Sequence, residues 1–148
     1  MYIGVKIVDA EPMDRDTFEA KHGRNVGGDK TGEGYEVTYE GGYQAWSPKD
    51  VFDAAYRPVA GLTFGLAIEA MKLGKKVART GWNGKGMFVF LVPGSVFKVN
   101  RAPLLGIYPE GTEINYRPHI DIKQADGSVG TWAPSMGDTL AEDWQIVE

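Results

Sequence analysis

The sequence has no cysteine and only two histidines. Disulfides, thiolate nucleophiles and cysteine-held zinc are therefore excluded, and any chemistry falls to carboxylates, imidazoles, hydroxyls and aromatics. No apolar run reaches the roughly 18 residues that a membrane-spanning helix needs. Met1–Ala10 has neither the basic start nor the continuous apolar stretch of a secretory signal, so a cytoplasmic protein is expected. No internal repeat is found. Positive charge is scarce: 16 Lys and Arg stand against 20 Asp and Glu, for a net charge of −4, and this balance opposes a long nucleic-acid partner. The excess is local, because residues 1–60 hold seven basic and eleven acidic side chains while residues 61–148 hold nine of each. Every charge from Lys72 to Arg101 is positive (Lys72, Lys75, Lys76, Arg79, Lys85, Lys98, Arg101), which suits a solvated basic face or a site for a small polyanion.

What is present is ample apolar material. At 43% hydrophobic residues, the 148-residue chain can bury one ordinary core or two small ones. The composition shifts near Arg57-Pro58-Val59-Ala60-Gly61, which divides an N-terminal module, residues 1–60, from a second domain, residues 62–148.

In the first module Ile3, Val5 and Ile7 alternate with Gly4 and Lys6, which predicts a strand over Tyr2–Val8. Asp14 is placed to cap a helix that ends at His22, with Gly23 as its stop. Five glycines between Gly23 and Gly34 read as a mobile loop. Gly28-Asp29-Lys30-Thr31 has the Lys-Thr pair of a phosphate loop, but Asp29 stands where a glycine is required and no helix follows. A hairpin turning at Gly41-Gly42 would set Val37 opposite Trp46 and Tyr39 opposite Gln44. Ser47-Pro48-Lys49-Asp50 reads as a capped helix start, with the helix ending by Tyr56.

The second domain opens with Thr63 as N-cap of a helix through Leu73, its Phe64, Ala67, Ile68 and Met71 facing inward and Gly74 ending it. Lys76–Arg79 and Met87–Val92 read as strands, the second apolar enough to be covered on both faces. Residues 95–116 are rich in Gly and Pro and read as an irregular excursion. Pro118–Lys123 alternates as a strand and turns at Asp126-Gly127 into a strand reaching Trp132. Ser135-Met136-Gly137-Asp138 is a capping-box helix start, and Trp144–Val147 is a closing strand. The fold class is therefore α+β: a small antiparallel sheet with short helices, preceded by a small α+β N-terminal module.

Several strings in the second domain resemble one small phage and prophage family. They are Thr63-Phe64-Gly65, Ala78-Arg79-Thr80-Gly81-Trp82-Asn83-Gly84-Lys85-Gly86-Met87, Phe90-Leu91-Val92-Pro93-Gly94-Ser95, Pro118-His119-Ile120-Asp121 and Leu140-Ala141-Glu142-Asp143-Trp144. The family's characterised members are Thoeris anti-defence proteins of the second type. The resemblance implies a compact α+β unit assembled as a homotetramer in the cytoplasm of an infected bacterium. It also implies sequestration, without cleavage, of immune signals held between protomers: glycocyclic ADP-ribose and, in some members, cyclic dinucleotides of CBASS-type systems. Relative to the family's minimal form, residues 1–60 are added and Phe97–Tyr116 interrupts the domain. The leading segment, with Gly41-Gly42-Tyr43, Trp46-Ser47-Pro48-Lys49 and Ala55-Tyr56-Arg57-Pro58, resembles a module common in phage proteins.

A cyclic nucleotide presents a flat base, ribose hydroxyls and phosphate, so its trap needs stacking surfaces, carboxylates or amides, and N–H donors. Trp82, between Gly81 and Gly84, is either a stacking platform or a structural plug, and Asn83 offers donor and acceptor. The flanking glycines leave backbone N–H groups open to phosphate, or simply make a tight turn. Trp132 is a second wall or core, and Phe88 and Phe90 line a wall or pack inward. His119 and Asp121 point one way from a single strand, to hydrogen-bond ribose; without a third ligand they make a poor metal site. Ser135 and Asp138 are candidate ligand contacts that the capping box explains equally well. Trp144 and Trp46 read as core. No nucleophile is paired with a base, so no catalytic residue, cofactor or metal is expected. The rival readings are a nucleotide-degrading enzyme using His119 and Asp121, and a phage protein-interaction module.

Overall fold

The computed structural model describes residues 1, 4–27 and 32–148. The chain divides into two compact units, Met1–Pro58 and Val59–Glu148. Both mix short helices with antiparallel strands, which makes the fold α+β.

In the first unit β1 (Asp9–Pro12), β2 (Gly34–Thr38) and β3 (Gln44–Pro48) form one sheet in that order, with α1 (Arg15–His22) between β1 and β2 and α2 (Lys49–Ala55) after β3. Asp14 caps α1 by accepting the Thr17 N–H at 2.8 Å, and Gly23 ends it at a φ of 63°. The strand expected over Tyr2–Val8 is displaced. Residues 4–8 carry no strand, Tyr2 and Ile3 lie outside the described residues, and pairing with β2 begins at Asp9. Of the glycine-rich stretch, residues 28–31 lie outside the description, as does the rejected phosphate loop; the stretch ends in β2, which Gly34 opens.

The hairpin forms one residue out of the expected register. Tyr39 donates its N–H to the Tyr43 carbonyl, so the loop is Glu40–Gly42, and Glu36 faces Trp46 while Val37 faces Ala45. A longer loop moves every partner by one and exchanges the faces. Ser47 is not a helix cap either, because β3 runs on through Pro48 and α2 starts at Lys49 without a side-chain cap. The helix ends at Tyr56 as expected. Under α1, Glu36 is only 4% exposed. It accepts from Lys21 Nζ at 2.6 Å and pairs with His22 Nε2, and these partners hold its carboxyl below the usual range.

The second unit has a six-stranded antiparallel sheet in the order β10-β9-β6-β5-β11-β4. Its strands are β4 (Ala60–Leu62), β5 (Lys76–Arg79), β6 (Phe88–Val92), β9 (His119–Lys123), β10 (Val129–Thr131) and β11 (Trp144–Val147). The helices are α3 (Phe64–Lys72) and α4 (Met136–Leu140). Val77 lies opposite Val89, and Val89 opposite Ile122, so a buried row crosses three strands. Helix α3, capped by Thr63 and stopped at Gly74, seals that row with Ala67, Ala70 and Met71. Trp144, fully buried, completes the core.

Two expectations are corrected here. β6 is fully buried only at Val89, which points into the core, whereas Phe88 and Phe90 project to the other side, where they are partly covered. Lys76 and Lys123 lie over the Phe88 ring, at 5.2 and 5.7 Å from its centroid. Residues 95–116 are not irregular throughout. β7 (Ser95–Lys98) and β8 (Glu113–Tyr116) pair as a separate ladder whose long connection hid it from local pattern reading.

Candidate functional site

The turn after β5 carries Trp82 to the rim of the core, where its ring meets Trp132 and Trp144 edge-on, with centroids 6.1 and 5.3 Å away. Trp132 stands 6.0 Å from Trp144 at 76°, so the three indoles are mutually near-perpendicular, the geometry that ring quadrupoles favour. Trp144 is buried, while Trp82 and Trp132 are half-buried and pack against the core. Trp82 is thus anchored in the core while keeping some open surface. Asn83, one residue on, is exposed.

Polar groups fasten this aromatic corner. Trp82 Nε1 donates to Asp138 Oδ1 at 3.2 Å, and Trp144 Nε1 donates to the Asp138 carbonyl at 3.0 Å. Ser135 caps α4: its Oγ accepts the Asp138 N–H, and Asp138 Oδ2 accepts the Ser135 N–H and hydroxyl at 3.0 and 2.7 Å. Arg79 joins the system through Nη1 to Asp138 Oδ1 at 2.9 Å and Nε to Asp143 Oδ1 at 2.7 Å. Burial by itself would raise the Asp138 carboxyl. The Ser135 hydroxyl, the Arg79 guanidinium, the Ser135 amide and the Trp82 indole outweigh it and hold the group at about 2. Asp143 is likewise lowered, chiefly by Arg79.

Two sequence readings change in this geometry. The Gly81 N–H is not open to a phosphate, since it donates to Asp143 Oδ2 at 2.8 Å, and a Cβ on Gly81 would come within 2.8 Å of the same oxygen. Arg79 was not among the candidates, although alternation carried the signal: it shares a strand face with buried Val77, and a cation there needs partners.

The remaining candidates lie on the opposite face of the sheet. Phe90 faces Asp121 across the β6–β9 ladder, and Phe88 faces Lys123. The Phe88 and Phe90 rings are 6.0 Å apart. His119 Nδ1 lies 3.2 Å from the Arg117 carbonyl, and its Nε2 is 3.5 Å from Asp121 Oδ1. That oxygen is buried and has no hydrogen-bond partner. The sequence candidates therefore form two groups, Trp82, Trp132, Ser135 and Asp138 on one face and Phe88, Phe90, His119 and Asp121 on the other. Among the described residues no group of three or more His, Asp or Glu is arranged to hold a metal ion.

The family model for the Tad2-like domain, described as a Thoeris anti-defense 2-like domain, matches residues 62–147. The chain belongs to this family. It is 42% identical over 86 residues to Thoeris anti-defense 2 of Bacillus phage SP01, a match covering 58% of this chain and 94% of that protein. Both candidate groups and the Arg79 network fall inside the Tad2-like domain, and residues 1–61 lie outside it. The stretch 97–116, read from sequence as an interruption, lies within the matched domain. Among the described residues no helix is long and apolar enough to cross a membrane.

Chemically, the aromatic corner of the Tad2-like domain offers indole surface with the Trp82 and Trp144 N–H groups already engaged. Both carboxylate oxygens of Asp138 and the Ser135 hydroxyl are engaged within the chain. What the corner presents to a ligand is thus indole surface, with the exposed Asn83 side chain beside it.

Proposed function

We propose that this protein binds cyclic nucleotide immune signals, glycocyclic ADP-ribose and also cyclic dinucleotides, and sequesters them without cleaving them in the cytoplasm of an infected bacterium. The observation that carries the reading is the half-buried Trp82–Trp132 pair, set edge-on with Trp82 held by Asp138, inside a Tad2-like domain. An indole so fixed stacks on a purine with little further loss of side-chain freedom, and such stacking is worth roughly 1–3 kcal/mol per base.

Assembly as a homotetramer with ligand between protomers fits the split of the candidates. A sheet stands between the Trp82 group and the His119 group, so a small molecule reaching both must touch two copies of the chain. Enclosure between copies also helps with the affinity, since nanomolar capture needs roughly 12 kcal/mol and two stacked rings supply less than that. A carboxylate held at about 2, as Asp138 is, makes a weak general base at neutral pH.

The test is calorimetry of the full chain with a panel of cyclic nucleotides, followed by heat denaturation and chromatography of the released ligand. Tight binding with the ligand returned intact supports capture. Hydrolysed product would make the protein a nucleotide-degrading enzyme, and no heat with any member of the panel would favour a protein-interaction module.

A further inference from the structure

Trp82 hangs from a turn that packing does little to hold, since Thr80 and Gly81, which lead into it from β5, are both exposed. Polar contacts to one residue fasten the turn instead. Trp144 faces Arg79 in the β11–β5 ladder, so Asp143 falls one step past its end, alongside Thr80 and Gly81. The Asp143 carbonyl accepts the Thr80 N–H at 3.1 Å. Its Oδ1 accepts Arg79 Nε at 2.7 Å, and its Oδ2 accepts the Gly81 N–H at 2.8 Å, the Thr80 hydroxyl at 3.3 Å and Arg79 Nη2 at 3.5 Å. The three consecutive residues before Trp82 thus all end on a single side chain. The turn then closes with the Trp82 N–H on the Arg79 carbonyl at 3.3 Å. Beyond the indole, Gly84 lies close against Met87 and Ala125.

We infer that Asp143 is a positioning residue for ligand capture: by gathering the backbone of the Trp82 turn, it sets the aim of the indole before a ligand arrives. The inference rests on capture of a cyclic nucleotide at the aromatic corner, as proposed above. The two carboxylates act at different points. Asp138 holds the indole edge through one bond of 3.2 Å, which fixes the ring only if the backbone that carries it is fixed too. Asp143 supplies that second constraint, and Arg79 ties the pair together through charge-assisted bonds to both. A ring set in advance loses less freedom on stacking, so the constraint is read as affinity although Asp143 need touch no ligand. The arrangement demands two acceptor oxygens, one for Arg79 and one for the Gly81 N–H. Asparagine has only one and turns an NH2 group on the other partner. It also demands a glycine at 81, because a Cβ there would come within 2.8 Å of Oδ2 and push the carboxylate off the turn. Gly81 has no left-handed φ, so alanine strains no backbone at that position. Asp143→Asn and Gly81→Ala therefore disturb the same contact from opposite sides, one with loss of charge and one without.

The test incorporates 5-fluorotryptophan into the full-length protein and follows its four indoles by fluorine NMR without ligand, each line assigned by a single substitution. Calorimetry with glycocyclic ADP-ribose then gives the affinity. In both variants the Trp82 resonance is expected to shift or broaden while that of Trp46 stays in place. Affinity should fall about fivefold or more, within the range of coupling between residues in one network. In a Trp82→Ala background neither change should weaken binding further, the non-additivity of a residue that acts through another. An unmoved Trp82 resonance in both variants, or a loss of affinity that persists in full without Trp82, would overturn the role. Collapse of the whole spectrum in both would overturn it as well, by making Asp143 part of the general scaffold. If the wild type does not bind glycocyclic ADP-ribose, it is the proposed capture that fails for this signal, and the Trp82 resonance of the ligand-free variants still decides whether Asp143 sets the indole.

Discussion

The indole N–H of Trp82 ends on the same Asp138 oxygen that receives Arg79, at 3.2 and 2.9 Å respectively. One carboxylate thus caps a helix, orients a tryptophan and neutralises a partly buried cation. Asp138 acts as a positioning residue for Trp82. Asp138→Ala removes all three functions at once, and loss of a helix-cap interaction together with a part-buried ion-pair partner should lower stability by about 2–4 kcal/mol. Urea denaturation measures the loss, and a red shift of tryptophan emission would report the released indole. An unchanged midpoint would contradict the assigned role.

Trp82→Ala separates stacking from scaffolding. Loss of one base-stacking ring, at roughly 1–3 kcal/mol, should weaken cyclic nucleotide binding at least tenfold. Trp144 and Trp132 still pair without it, so the circular dichroism spectrum and the oligomeric state should persist. Full affinity in the folded variant would remove Trp82 from the site.

The acid limb of stability should bear the mark of Asp138. Its carboxyl sits at about 2 when folded, against an ordinary value of 3.8. A depressed carboxyl stabilises the fold above its unfolded pKa, and the contribution fades as pH falls through the folded one. The window is therefore about pH 4 to 2, and the shift amounts to on the order of 2 kcal/mol. In wild type the denaturation midpoint should fall across that window. Asp138→Asn should flatten the fall in part, because Asp143 beside Arg79 is lowered as well.

Asp121 invites the opposite trade. Its Oδ1 is buried without a hydrogen bond, with only the His119 imidazole 3.5 Å away, and such an oxygen is costly unless a ligand or another copy of the chain serves it. Asp121→Ala should leave the ligand-free protein within about 0.5 kcal/mol of wild type, or stabilise it. If the His119 side takes part in capture, binding in the same variant should drop at least fivefold. Unchanged affinity would assign that face to another task.

Legibility in the sequence followed locality. Asp14, Thr63 and Ser135 were readable as caps because a cap is decided within one turn, and their side chains bond as expected. The hairpin register was not, since Gly41 and Gly42 both take positive φ inside a loop that begins at Glu40, and sequence cannot count that extra residue. β1 has no alternation of its own in Asp9–Pro12 and exists only through pairing with β2. In the candidate site Trp82 and Asp138 were both visible, but their direct bond was not, because it joins positions 56 residues apart. The division of the candidates between two sheet faces was open to alternation for Phe88 and Phe90; for Trp132 it needed the pairing of its strand.

Gly34 provides the sharpest stability test in the first unit. It sits opposite Pro48 at the end of the β2–β3 ladder, beneath the Trp46 indole, whose Nε1 reaches back to the Met13 carbonyl at 2.9 Å. A Cβ at Gly34 would lie 2.6 Å from that indole and 2.4 Å from the Ser47 carbonyl oxygen. The backbone oxygen cannot rotate away, and the indole can withdraw only by giving up its bond to Met13. Gly34→Ala should therefore destabilise this unit by about 1–3 kcal/mol, the usual cost of overpacking. Gly41→Ala, which meets no atom within 4 Å but sits at a φ of 88°, tests backbone strain alone and should cost less. Thermal melts of the two variants, followed by Trp46 emission in a background lacking the other tryptophans' change, decide the order; a milder effect at Gly34 than at Gly41 would refute the close approach of indole and backbone.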